Sequence, residues 1–83
     1  VNKTRGGNIM NNKIRLQSVG WVPARQANEI KVGDRLMWNF GSVYTVEKVV
    51  QSKTGKTIEI TEKSSEGKAY TRKLGSTRLV CIL

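Results

Sequence analysis

The chain has 83 residues, 15 of them Lys or Arg against 6 Asp or Glu, no histidine and one cysteine, for a formal net charge of +9. Such a length allows one small domain near the lower limit of what a hydrophobic core stabilises alone, and the lone Cys81 excludes an internal disulfide. With no histidine, no Cys-rich spacing, no Gly-rich phosphate loop and no matched pair of acids, neither catalysis nor a bound metal or other cofactor is expected. No apolar run reaches membrane-spanning length and no signal-peptide pattern is present, so no membrane partner and a cytoplasmic location are expected.

Residues 1–12 read as a disordered leader or tail ahead of a single domain at 13–83. Arg5-Gly6-Gly7 can be encoded by AGA-GGA-GGN, which contains the purine-rich ribosome-binding sequence of bacterial messages. Met10 would then be the true start and the origin bacterial or phage; an ordinary Gly-rich tail is the alternative. From Lys13, Ile14 and Leu16 alternate with Arg15 and Gln17, the pattern of a strand that would pair with the edge of the main sheet, and Gly20 should end it. Pro23 bars the α region at Val22 and favours extended chain followed by a short turn. The stretch 23–30 could instead form one helical turn with Pro23 at its first position.

Residues 30–83 read as a continuous antiparallel meander. The turn Val32-Gly33-Asp34 opens it, with Asp34 expected to accept from backbone amides. A strand over 35–38 leads to the turn Asn39-Phe40-Gly41-Ser42. Lys53-Thr54-Gly55 and Ser65-Glu66-Gly67 each fit a three-residue hairpin loop with a left-handed glycine. The first loop would pair Ser52 with Lys56, Val50 with Ile58 and Lys48 with Ile60. The second would pair Ser64 with Lys68, Glu62 with Tyr70, Ile60 with Arg72 and Ile58 with Leu74. Both choices put Tyr44, Val46, Val50, Ile58, Ile60, Tyr70 and Leu74 on one face. The other face carries Thr45, Glu47, Thr57, Glu59, Thr61, Lys63, Thr71 and Lys73, with Glu59 opposite Lys73 as an ion pair.

Lys48 and Arg72 interrupt the apolar face. A bulge near Val49-Val50 would turn Lys48 outwards, while Arg72 packs its stem and reaches the rim or Glu62. The other reading is a cationic mouth for phosphate or carboxylate. A last strand over 78–82 follows the short Gly75-Ser76-Thr77 connection, and Cys81 within it is expected to be buried as a small hydrophobe in a reducing compartment.

Five to six short strands are too few for a sandwich and suit an all-β small barrel, whose closure would remove both a bare apolar face and the edges. Val32-Gly33-Asp34-Arg35-Leu36, with 43–50 behind it, resembles the opening of SH3-like barrels, including the KOW type of ribosomal and transcription proteins. The resemblance implies a five- to six-stranded SH3-like barrel built on the meander. Ala27-Asn28-Glu29-Ile30-Lys31-Val32-Gly33-Asp34 is also similar to a segment of self-splicing Hint and intein domains. Their chemistry is missing here, because no nucleophilic Cys or Ser opens the domain and no histidine is present. Residues 30–40, with Trp38-Asn39-Phe40-Gly41, resemble small proteins of bacterial phages and mobile elements, a likeness that implies no particular activity.

The polar face of the meander is nearly balanced in charge, so the basic excess lies elsewhere. One group is Lys13, Arg15, Arg25, Lys31 and Arg35; the other is Lys53, Lys56, Lys68 and Arg78 at turns. Basic turns beside aromatic rings suit nucleic acid, since cations neutralise phosphates while rings stack on bases. Trp21, Trp38, Phe40 and Tyr44 are the available rings, with Trp38 expected in the core and Trp21 exposed. The expected nucleic-acid-binding set is Arg15, Trp21, Arg25, Lys31, Arg35, Lys53, Lys56, Lys68, Arg72 and Arg78, for DNA or RNA. Plain solubility accounts for the charge as well. A second class of function is a protein-interaction or inhibitor module that offers a strand edge or its basic mouth to an acidic protein.

Overall fold

A computed structural model describes residues 12–83; the expected Met10 start and nearly all of the expected leader lie outside them. The described chain is all-β. Its strands are β1 (Lys13–Leu16), β2 (Gly20–Pro23), β3 (Arg25–Gln26), β4 (Arg35–Met37), β5 (Val43–Gln51), β6 (Thr57–Ser64), β7 (Ala69–Gly75) and β8 (Leu79–Ile82), with single 3-10 turns at Ala27–Glu29 and Asn39–Gly41. β1 and β2 form a hairpin of their own, and the other six form one antiparallel sheet in the order β3-β8-β4-β5-β6-β7. The last strand thus inserts between β3 and β4, and β7 is an end strand.

The N-terminal segment departs from its expected partner. Lys13–Leu16 is a strand, but it pairs with β2, not with the large sheet. Gly20 does not end it: Ser18 and Gly20 both adopt positive φ, the chain reverses there, and Gly20 opens β2 opposite Leu16. Pro23 closes β2, and the helical turn begins later, at Ala27. Gln26 caps that turn, its backbone N–H donating to Glu29 Oε2 at 3.2 Å. Asp34 does what its position predicts, accepting from the Lys31 N–H at 2.8 Å and tightening the turn into β4.

The two long hairpins split. The β6–β7 loop is as expected: Ser64 N–H donates to the Lys68 carbonyl at 2.8 Å, Gly67 has φ +89°, and the Glu62–Tyr70, Ile60–Arg72 and Ile58–Leu74 pairs all form. The β5–β6 loop is one residue longer. Ser52 N–H bonds the Thr57 carbonyl, so Gln51 faces Ile58, Val50 faces Glu59 and Val49 faces Ile60. The Lys56 carbonyl, which a shorter loop would have turned to Ser52, accepts instead from the Ser76 N–H at 2.8 Å. Val50 is therefore on the exposed face and Val49 packs on the core. A bulge at Glu47, between Val46 and Lys48, restores phase, so Val46 still faces inwards opposite Glu62. Lys48 points outwards, as the bulge reading required, although the bulge lies nearer the strand start than expected. Glu59 and Lys73 are cross-strand partners, yet their charged ends do not come within ion-pair distance; the outer-face pair is Lys63 with Glu47 at 3.6 Å.

The core lies on the inner face of the large sheet. Leu36, Val46, Ile58, Ile60, Leu74 and Val80 fill it, and Ala27 and Ile30 from the helical turn cover one end. Cys81 is buried, and burial raises its thiol above its ordinary value, only partly offset by a backbone hydrogen bond to Met37. Among the described residues no helix is long and apolar enough to cross a membrane.

Candidate functional site

Towards Trp38, the apolar filling of the inner face gives way to polar groups. Glu62 has a fully buried side chain, 0% exposed, in a row that alternation reserves for the core. Such a carboxylate is tolerable only with donors, and it has two. Trp38 Nε1–H donates to Oε1 at 2.9 Å, and Arg72 Nε–H donates to Oε2 at 2.6 Å. Trp38 can do this because it follows β4 directly and its ring packs against the core from the next position. The Arg72 guanidinium carbon sits 4.0 Å from the centre of the Trp38 ring, a cation–π stack. Carboxylate, indole and guanidinium thus fix one another. Tyr44 and Tyr70 meet edge to face beside them, with ring centres 5.6 Å apart.

Three members of this assembly, Trp38, Arg72 and Tyr44, form one wall of an open cleft of about 480 Å³, which the buried Glu62 does not reach. Arg72, Trp38 and Tyr44 lie on the sheet side; Arg15 arrives from the β1–β2 hairpin and Arg78 from the turn before β8. The hairpin is held there through its own turn. Gln17 N–H donates to Asn39 Oδ1 at 2.8 Å, and Phe40 N–H donates to the Gln17 carbonyl at 2.7 Å. Phe40 accepts φ +66° in this contact and is itself 66% exposed. Three guanidinium groups line the cleft and no carboxylate does. Among the described residues, Arg15 and Arg78 have no acidic partner within 4.0 Å, whereas Arg72 has Glu62.

Three members of the expected binding set, Arg15, Arg72 and Arg78, therefore converge. Trp21 is close by register, as the cross-strand partner of Arg15, and the residue is 69% exposed. Lys68 stands at the same end of the sheet, since it pairs with Ser64 and Ser64 with Tyr44. The others are elsewhere. Arg25 lies on β3 with its guanidinium 4.0 Å from Glu29. Lys31 is in the turn before β4, and Arg35 on β4 faces Thr45. Lys53 and Lys56 belong to the β5–β6 loop, which docks on Ser76 and does not line the cleft. Asn39 and Ser42, which also line the cleft, carry no sequence signal beyond a turn. Glu62 did carry one: an acid on the apolar face one row from Arg72.

The donor set is cationic, with one amide at Asn39 and rings at Trp38 and Tyr44, and is suited to an anion with a flat apolar part. It is unsuited to a metal, and among the described residues no group of three or more His, Cys, Asp or Glu could hold one. No protein-family model, curated protein or solved structure matches the chain.

Proposed function

We propose that this domain is a non-catalytic nucleic-acid-binding module, with the cleft as its binding site. The supporting observation is the convergence of Arg15, Arg72 and Arg78 on Trp38 and Tyr44 in a cleft that no carboxylate lines. Guanidinium groups supply bidentate donors for phosphate, and aromatic rings supply stacking surfaces. The remaining Lys and Arg add a long-range attraction for a polyanion. An SH3-like reading of the fold is supported by the last strand lying beside the first strand of the meander, after a tight turn at Ser76-Thr77. A reducing, cytoplasmic setting, as in a bacterial or phage-infected cell, suits the buried free Cys81.

The test is titration of the protein with labelled DNA and RNA oligonucleotides at rising salt. Saturable binding that weakens steeply between about 50 and 200 mM salt is expected. Arg78→Gln should weaken it while leaving the melting curve unchanged, since that side chain makes no ion pair in the fold. No saturable binding at the lowest salt rejects the reading and returns the site to an acidic protein partner.

A further inference from the structure

The three arginines of the cleft are not equivalent, and their difference bears on which form of nucleic acid fits. Arg72 is already neutralised by a carboxylate 2.6 Å away that is itself wholly buried. A phosphate brought to Arg72 would meet the charge of Glu62 as well, so the net attraction there is small. What Arg72 offers is shape. Its guanidinium plane is held on one side by the Trp38 ring at 4.0 Å and along one edge by Glu62, and its side chain is still 38% exposed where it lines the cleft. A fixed, flat, cationic surface of this kind is what an unstacked base lies against. Arg15 and Arg78 have no such carboxylate among the described residues and keep their charge for phosphate.

Size points the same way. A volume of about 480 Å³ is that of a small-ligand site. It has room for a single nucleotide, whereas the faces of a paired base are already covered by its neighbours in the stack. The geometry points to unpaired nucleotides as the ligand: a single-stranded segment whose base stacks on Arg72 and whose phosphate is held by Arg15 and Arg78. This rests on the nucleic-acid reading above and narrows it to single strands.

Fluorescence anisotropy with the full chain separates the two levels. A labelled oligothymidylate of about ten nucleotides is compared with a duplex of the same length. The single strand should bind at least tenfold more tightly. Arg15→Gln and Arg78→Gln should each lower the salt slope by about 0.7. Arg72→Lys, which keeps a cation for Glu62 but removes the plane, should lose about tenfold in affinity with the slope unchanged. Because Arg72→Lys also disturbs the stack on Trp38, the wild-type protein gives a second readout. The Arg72 Nε–H resonance should shift on adding the oligothymidylate and stay still with inorganic phosphate. A duplex bound as tightly as the single strand overturns this inference and leaves the nucleic-acid reading standing. A lowered salt slope in Arg72→Lys, or a silent Arg72 resonance at saturation, overturns it too. Failure to bind any oligonucleotide at low salt overturns the reading beneath it.

Discussion

Glu62 is the residue on which both the core and the cleft depend. Its neighbours in the inner face are apolar, and a carboxylate there is stable only because Trp38 and Arg72 bring it two donors. Glu62→Ala would leave an indole N–H and a guanidinium N–H without their acceptor and open a cavity beside Val46. The expected loss is about 3 kcal/mol, the low end for a broken buried pair, because Arg72 is long enough to turn its head to water. Glu62→Gln keeps the shape but can accept from only one of the two donors through its carbonyl oxygen and presents an NH2 group to the other. An intermediate loss of about 1–2 kcal/mol is expected. Urea denaturation of the two variants checks this order, and a wild-type midpoint for Glu62→Ala would contradict it. The sequence carried half of this result. Alternation placed Glu62 and Arg72 on the inner face in adjacent rows, which suggests a pair. Nothing local shows that Trp38, 24 positions earlier, turns its N–H to the same carboxylate.

At the scale of elements, a turn was legible where its own residues decide it and not where a distant segment does. Ser65-Glu66-Gly67 closes by itself, and the whole β6–β7 register follows from it. Lys53-Thr54-Gly55 looks the same on paper. Its outcome is set by Ser76, whose N–H takes the Lys56 carbonyl and whose hydroxyl donates to the Gly55 carbonyl. The added loop residue shifts Val49 inwards and Val50 outwards, and the bulge at Glu47 absorbs the shift before it reaches Val46. The hairpin β1–β2 was half legible for the same reason: the alternation of Ile14 and Leu16 marks a strand, but the positive φ at Ser18 that decides its partner has no sequence signature. Ser76→Ala tests the clamp. It should cost about 1 kcal/mol, and amide exchange should quicken at Ser52 and Gly55 while staying unchanged across β6–β7. Equal protection in the two proteins would mean that the loop holds its length unaided.

For the whole molecule, composition announced the positive charge but not its distribution. Arg15 lies far in sequence from Arg72 and Arg78, and the three meet only because β8 inserts beside β4 and the β1–β2 hairpin folds back over the turn at Asn39–Gly41. Lys53 and Lys56, equally basic on paper, do not line the cleft. The same strand order leaves β7 with a partner on one side only among the described residues, and its seven residues contain no proline. A bare edge of that length is a template on which another molecule's strand can grow. What guards it is charge, with Lys73 near the middle of the edge and Arg72 beside it already committed to Glu62. Lys73→Thr, a β-favouring residue that keeps the fold, should therefore turn a monodisperse solution into one whose light scattering rises with protein concentration, most of all in high salt where the remaining repulsion is screened. Identical scattering from the two proteins under those conditions would show that the edge is guarded by something other than this lysine. With scattering that rises only in the variant, a single ammonium group on the end strand β7 is what keeps each molecule from recruiting the next.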